Sequence, residues 1–515
     1  MERTPNGNTT SEPNHTLGSR EGRTRNRLVL VSNRGPVQHR TSSDGVIERV
    51  CSGGGVATAL ATLAPARPIT WIAGAAVQVE RDLAESGTAI ELEDGKRVRY
   101  VAPEAEAYKL FYGTFCNPLL WFIHHSMQAR LQRKDVDGEA VRAWQEGYLP
   151  VNQAYAEAVI DELDGDDGRP AVMLNDYHLY AAPLFIRDRR PDVTLQHFVH
   201  IPWPAAEAWR TLPQLIVQSI CEGLLANDSV VFQTNEFAQN FIDTCNAYLD
   251  GVAVDPSSER VTRRGRTTRV WANPVSVDIW DLRGELSSRE ADAYRKKLAA
   301  PEGMRTIVRV DRLDPSKNAA TGFHAFGRLL ERHPEWIGKV RFQAFLVPSR
   351  GGIDEYRTYM KEVFSASEQV NARFGTKGWT PITVYHEHDR LQALVAMSMY
   401  DVLLVNPVAD GMNLVSKEGP AVNGKSGVLV LSEAAGSAAE LRNGALMVRP
   451  ADIEGTAAAL DRALRMEPPE RRERVQHLRE AIIRHDLRRW FRLLLEDLDG
   501  GTSRPLLAPL ARSAR

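Results

Sequence analysis

Four cysteines in 515 residues, Cys51, Cys116, Cys221 and Cys245, are too few and too scattered for a disulfide framework, and no Cys-x-x-Cys pair marks a structural zinc site. There is no excess of charge: 64 Lys and Arg stand against 66 Asp and Glu, a net of −2 with a pI near 6.7. That balance argues against a global nucleic-acid or anionic-membrane binder, although a local cationic cleft remains allowed. No uncharged apolar run reaches the ~18 residues of a membrane span. No apolar segment precedes Leu28, so a secretory signal is not expected and a reducing cytoplasm is the expected location. The sequence also lacks a Gly-x-Ser-x-Gly elbow, a Gly-x-x-x-x-Gly-Lys-Ser/Thr phosphate loop and a His-Glu-x-x-His zinc helix. What remains, with 43% hydrophobic and 25% charged residues, is the composition of an ordinary globular enzyme.

Residues 1–26 hold almost no apolar side chains and cannot offset the entropy of ordering, so they are expected to be a disordered tail, as is the stretch 500–515. Between them, short apolar runs alternate with longer helical patterns: Leu28–Val31, Ala171–Leu174, Gln196–Val199 and Val230–Phe232, then Thr306–Val310, Val340–Val347, Ile382–Tyr385, Val402–Val405 and Gly427–Leu431. This is the signature of parallel α/β layers, and its presence on both sides of Asn273-Pro274 predicts two doubly wound, Rossmann-like domains facing a cleft. In such sheets ligands bind outside the carboxyl ends of the strands, where several polar motifs fall.

Ser32-Asn33-Arg34 follows the first run, and a strand-end guanidinium can grip a phosphate in bidentate fashion. Alone, Arg34 reads more readily as half of a surface ion pair. Ser52-Gly53-Gly54-Gly55 precedes a helical pattern, where backbone amides can approach an anion, but Thr58 replaces the third glycine of a dinucleotide fingerprint. Asp311-Arg312-Leu313-Asp314-Pro315-Ser316-Lys317 sets two cations on what reads as one loop, able to straddle a diphosphate or simply to pair with its own aspartates. Arg350 follows Val347 as a third strand-end cation. The most specific segment is Asp410-Gly411-Met412-Asn413-Leu414-Val415-Ser416-Lys417-Glu418, with a turn glycine, a helix start offering free amides, and two carboxylates suited to sugar or ribose hydroxyls. His200 sits before a stiff Ile-Pro-Trp-Pro turn. His386-Glu387-His388 has the spacing of a metal pair without a third ligand, so no metal is expected.

These motifs, together with Phe111-Tyr112 through Trp121, Asn175-Asp176-Tyr177-His178 and Gly378-Trp379-Thr380-Pro381, occur in an order and spacing that resembles the trehalose-6-phosphate synthases of glycosyltransferase family 20, from about residue 27 to Leu498. The resemblance implies a GT-B fold: an acceptor-side domain over 27–275, a nucleotide-sugar domain over 276–482, and a terminal helix over 483–499 returning to the first domain. It implies a retaining transferase without cofactor or catalytic metal, moving glucose from a nucleoside-diphosphate glucose to glucose 6-phosphate. Arg312 and Lys317 would hold the donor diphosphate, and Asp410 and His200 the donor sugar. Glu418 would take the ribose, while Gly54, Gly55, Leu414 and Val415 would line the diphosphate. Arg34, Tyr112, Trp121, Asp176 and Arg350 would hold the acceptor.

The sequence departs from the family pattern at four places: Gly74 where a second aromatic is usual, Asn175 where His is usual, and Val275 and Asn318 where Gly is usual. Several of these features also resemble validoxylamine phosphate synthases, so a pseudo-disaccharide phosphate or glucosylglycerol phosphate is the alternative product. A catalytically silent sensor of sugar phosphates is disfavoured, because every implied cation and carboxylate is present. The donor is GDP-glucose or UDP-glucose: Glu387, after the run 382–385, could accept from guanine, or be solvated with the base read by backbone alone. A homo-oligomer is compatible with the sequence.

Overall fold

The computed structural model describes residues 27–500, apart from 42–46, 52–67, 88, 93–94, 132–135 and 166–169. The expected tail 1–26, residues 501–515 of the C-terminal one, and Gly54 and Gly55 lie outside the described residues.

Twelve strands precede residue 273: β1 Leu28–Ser32, β2 Val37–Thr41, β3 Ile47–Cys51, β4 Ile69–Gly74, β5 Ile90–Glu91, β6 Lys96–Val101, β7 Ala171–Asn175, β8 Thr194–Phe198, β9 Ser229–Phe232, β10 Ala253–Asp255, β11 Arg260–Arg263 and β12 Arg266–Ala272. Six follow: β13 Arg305–Arg312, β14 Val340–Val347, β15 Ile382–Tyr385, β16 Val402–Val405, β17 Val428–Ser432 and β18 Leu446–Val448. They form a ten-stranded sheet, β10-β11-β12-β9-β8-β7-β1-β4-β6-β5, a six-stranded sheet, β15-β14-β13-β16-β17-β18, and the hairpin β2-β3. The six-stranded sheet is parallel throughout, and the larger one is parallel from β12 to β6.

Strands such as β1 and β17 are apolar at nearly every position because helices cover both faces, so no position can be polar without cost. Those runs are the ones legible in the sequence. β6 was not: Lys96-Arg97-Val98-Arg99-Tyr100-Val101 alternates charged and apolar residues, burying Val98 and Tyr100 while Arg97 and Arg99 pair with Glu162 and Asp161 of the neighbouring helix.

The chain order reverses direction across each sheet. In the first, β1, β4 and β6 step outward one way and β7, β8, β9 and β12 the other, so the reversal lies between β1 and β7. In the second it lies between β13 and β16. Such switch points open a crevice at the carboxyl ends of the strands. They place Ser32–Arg34 and Asp176 on one lip, and Arg312–Lys317 and Asp410–Glu418 on the other.

The last helix, Leu487–Leu498, leaves the second sheet and packs Trp490, Phe491 and Leu494 against Leu30, Phe198 and Trp271 of the first. Fully burying such side chains stabilises by ~1.5–3 kcal/mol each, which holds a helix too short to persist alone. Polar ties complete it: Asn273 Nδ2 donates to Trp490 O (3.0 Å), and Asp497 accepts from Gln196 (2.7 Å) and pairs with Arg269 (2.7 Å). Among the described residues, no helix is long and apolar enough to cross a membrane.

Candidate active site

The lip of the second sheet is built from ion pairs. β13 runs two residues further than its apolar pattern, so Arg312 ends the strand and only Lys317 lies in the following turn, Pro315–Lys317; the two cations do not share one loop as expected. Asp314, fully buried, caps that turn: its Oδ1 accepts from Ser316 N (3.1 Å) and Ser316 Oγ (3.0 Å). Arg309, also fully buried, donates to the Lys317 carbonyl and to Asn406 Oδ1, and its Nε lies 2.9 Å from Asp311. Asn318 adopts φ 62°, ψ 37°, the left-handed region, which explains why Asn can stand where Gly is usual. Its side chain donates to Asn406 O (3.0 Å) and Pro450 O (2.8 Å). The Lys317 ammonium pairs with Asp410, which also accepts from Asn413 Nδ2 (3.0 Å). Burial pushes the Asp410 carboxyl up, but Lys317 outweighs it and holds the group below its usual range.

The segment after Asp410 forms the helix Val415–Val422, with Leu414 as its N-terminal capping residue. Asn413, at φ 73°, turns the chain and accepts Ser416 N on its side chain (3.1 Å), so Leu414 and Val415 carry the leading amides. Glu418 lies 3.6 Å from Arg390 and is pushed up by burial. Gly411 is where the lips touch: a Cβ there would stand 1.9 Å from the carbonyl oxygen of His200, so only glycine permits the approach.

The first lip is aromatic. Trp71 Nε1 donates to Ser32 Oγ (2.7 Å), which donates to Arg34 O (2.6 Å), and Asn33 Oδ1 accepts from the Tyr108 and Tyr155 hydroxyls (3.3 and 3.4 Å). Arg34 projects exposed from this braced turn. Tyr112 stacks between Tyr108 and His178. Burial pushes its phenol up, yet the Arg350 and Arg34 guanidiniums beside it pull it below its ordinary value. Two arginines from different sheets therefore meet at one phenol.

Arg350, at φ 44° and nearly buried, is the hub between the lips. It donates to Asp314 Oδ2 (2.8 Å) and the Tyr356 hydroxyl (2.6 Å) of its own half, and to the Tyr177 hydroxyl (3.1 Å) of the other. Its guanidinium lies 4.1 Å from the centre of the Trp121 ring, over which Arg312 also sits at 5.5 Å. Trp121 in turn donates its indole N–H to Asp314 (3.0 Å) across the crevice.

Asp176, at φ 72°, has one buried carboxylate oxygen without a hydrogen-bond partner among the described residues, and burial pushes the group up to about 6. His200 Nε2 is 3.1 Å from Asn175 Oδ1, whose amide nitrogen donates to Val31 O and Met173 O. That geometry puts the proton on Nε2 and binds the ring to Asn175, while burial lowers the imidazole to about 3 and keeps it neutral. The histidine's carbonyl, rather than its ring, faces Gly411. Asp176, Asn318, Arg350 and Asn413, four non-glycine residues with left-handed backbones, all fall in this crevice.

The other two departures are also accommodated. Val275 O accepts from the buried Lys417 ammonium (2.8 Å), and Val275 N donates to Gln233 (2.9 Å), so the linker is tied to both halves. At Gly74 a Cβ would stand 2.4 Å from the Tyr155 hydroxyl, which fills that space. Glu387 is exposed, on a loop with His386 and His388.

Of the residues singled out in the sequence, Arg34, Tyr112, Trp121, Arg312 and Arg350 are linked across the two lips. Lys317 pairs with Asp410, Leu414 and Val415 lead the next helix, Asp176 and His200 follow strands of the first sheet, and Glu418 pairs with Arg390. Arg309, Asp314, Tyr177, Tyr356 and Tyr155 were not singled out. Asp314 and Tyr177 carried a signal, the one as an Asp before Pro at a strand end and the other within the Asn175-Asp176-Tyr177-His178 motif, but the buried Arg309, Tyr356 and Tyr155 carried none.

Residues 26–500 match the family described as Glycosyltransferase family 20. The chain is 33% identical over 477 residues to an alpha,alpha-trehalose-phosphate synthase [UDP-forming] of Schizosaccharomyces pombe, covering 90% of this chain and 88% of that one. It is 32% identical to a trehalose-6-phosphate synthase of Mycolicibacterium smegmatis, covering 92% of both. Among solved structures it is similar to an E. coli protein bound with UDP-2-fluoro glucose (TM-score 0.79, 28% identity, 92% and 98% covered). It is also similar to a UDP-forming synthase of Burkholderia xenovorans in complex with glucose-6-phosphate (TM-score 0.78, 27% identity, 92% and 100% covered).

Proposed function

The chain belongs to glycosyltransferase family 20, and on that premise we infer that it transfers glucose from a nucleoside-diphosphate glucose to glucose 6-phosphate, forming α,α-trehalose 6-phosphate with retention of configuration. The observation that carries the acceptor is the meeting of Arg34 and Arg350 at Tyr112. Arg34 has phenols and no carboxylate as neighbours among the described residues, so a phosphate is the counter-ion that neutralises it. The acceptor sugar would satisfy the unpartnered oxygen of Asp176 with one of its hydroxyls.

On the opposite lip, Lys317, Arg312 and the leading amides of Leu414 and Val415 hold the donor diphosphate. They stabilise the charge that develops on it as the glycosidic bond breaks. Asp410 takes donor-sugar hydroxyls and Glu418 the ribose. Asp314, Asp311 and Asp410 are each held by a cation, which supports a route without a carboxylate nucleophile. The acceptor hydroxyl attacks on the face the diphosphate leaves, and a phosphate oxygen takes its proton.

We propose uridine as the base, by analogy with the S. pombe and E. coli proteins. Cys116, Cys221 and Cys245 are free and buried, which supports a reducing, cytoplasmic setting. A donor-by-acceptor screen tests all of this: UDP-, GDP- and ADP-glucose against glucose 6-phosphate and glucose. UDP-glucose with glucose 6-phosphate is expected to give the highest kcat/KM, and equal rates with unphosphorylated glucose would overturn the acceptor assignment. A GDP preference that Glu387→Ala abolishes would replace uridine with guanine.

A further inference from the structure

We propose that Tyr155 is a positioning residue for the acceptor phosphate, acting through Asn33 on Arg34 from the space that Gly74 leaves open. The proposal rests on the assignment of Arg34 to the acceptor phosphate.

Tyr155 belongs to the helix Leu149–Leu163, far in sequence from both partners, and is fully buried. Its hydroxyl lies where a side chain at Gly74 would begin: an added Cβ would meet it at 2.4 Å, with Asn33 O at 3.1 Å and Asn33 Oδ1 at 3.4 Å. The hydroxyl donates to Asn33 Oδ1 (3.4 Å), as does that of Tyr108 (3.3 Å). Two donors on the oxygen fix which way the Asn33 amide faces, and Asn33 itself is buried. The flanking residues of the turn are held separately, by the chain Trp71–Ser32–Arg34 O. β4 therefore braces the turn at both ends of one four-residue stretch, by a donor at Trp71 and by an opening at Gly74 that admits Tyr155.

Arg34 is the exposed product of this bracing, with the phenols of Tyr112, Tyr108 and Tyr155 near it. A guanidinium on a long, flexible side chain loses much of its rotamer freedom when it grips a phosphate. A turn already fixed in the free protein removes part of that cost, so bracing shows in acceptor affinity rather than in the chemical step.

Steady-state kinetics on the full chain, with whichever nucleotide-glucose supports turnover, test the idea. Tyr155→Phe keeps the ring and removes the hydroxyl. It is expected to raise KM for glucose 6-phosphate about fivefold, with kcat and donor KM changing less than about twofold. Tyr108→Phe should act in the same sense, and its hydroxyl is nearer the surface should Tyr155→Phe fold poorly. Gly74→Ala should raise acceptor KM in the wild-type background, and by a smaller factor in the Tyr155→Phe background, where the 2.4 Å contact is gone and only the 3.1 Å approach to Asn33 O remains. If Arg34→Ala raises acceptor KM but Tyr155→Phe and Tyr108→Phe do not, the bracing role is overturned and the phosphate assignment stands. If Arg34→Ala also leaves acceptor KM unchanged, both fall.

Discussion

In the function proposed above, the two lips of the crevice each hold a phosphate-bearing ligand, and they are built of opposite materials. On the second sheet nearly every charge is already answered: Lys317 by Asp410, Arg350 by Asp314, Arg309 by Asp311, Arg390 by Glu285. On the first, Arg34 lies beside phenols, and Asp176 keeps an oxygen without a partner among the described residues. Ion pairs orient a cation while lowering its net charge. Phenols orient it and leave the charge intact for a ligand. On the reading proposed above, the donor lip is held by ion pairs, and the acceptor lip lacks an anion for Arg34 among the described residues.

The largest expected effect tests the donor lip. Arg312→Ala and Lys317→Ala should each lower kcat by about 10²–10³-fold, the usual loss on removing one preorganised electrostatic donor. They should differ in stability. Arg312 is half exposed and only 3.8 Å from an Asp314 that Arg350 already holds, so its removal leaves the melting temperature nearly unchanged. Lys317→Ala strands a buried Asp410, a loss of ~3–5 kcal/mol for a broken buried pair. Adding Asp410→Asn should restore melting but not turnover. Recovery of both would make the pair structural only.

A smaller effect contrasts one carboxylate from each lip. Burial raises Asp176 to about 6, above the value in an unfolded chain, so the native state holds this proton more tightly. Its contribution to stability is present below about pH 4 and lost as pH rises through 6. Asp314 is the reverse: burial pushes it up, but Arg350 and Arg312 outweigh burial and hold it at about 2. Its contribution is present above about pH 4 and lost as pH falls toward 2. Calorimetry at pH 8 should therefore find Asp176→Asn more stable than wild type and Asp314→Asn less. Asp176→Asn should also raise acceptor KM by about tenfold. Equal destabilisation by both would erase the contrast between the lips.

The smallest effect concerns Asn318. Asn318→Ala loses two hydrogen bonds and keeps the left-handed strain, and should cost ~1–3 kcal/mol. Asn318→Gly loses the same bonds but relieves the strain, and should cost about 1 kcal/mol less than alanine. Thermal melting of the two variants separates these terms.

Much of this was legible before folding. Central parallel strands are apolar on both faces, so their ends, and the polar loops that follow, can be located from local pattern alone. That is why Arg34, Arg312, Arg350 and Asp410 stood out. β6 escaped because one of its faces carries Arg97 and Arg99, paired with Glu162 and Asp161 of the neighbouring helix, in place of apolar side chains. Tyr155 and Arg309 escaped because a buried tyrosine in a helix and an arginine inside a strand carry no local mark of their partners.

The sequence by itself determined the buried parallel strands and the polar loops after them, and so which loops could line a cleft, because strands covered on both faces are apolar throughout. The strand order and the two switch points came from the tertiary structure. Only the tertiary structure decided what each side chain in the crevice is paired with. Trp121 and Asp314 are 193 positions apart, and Arg350 and Tyr177 are 173. Whether a cation is neutralised by a carboxylate or surrounded by phenols depends on ångström distances between residues that no local pattern relates. That distinction separates a structural ion pair from a phosphate site.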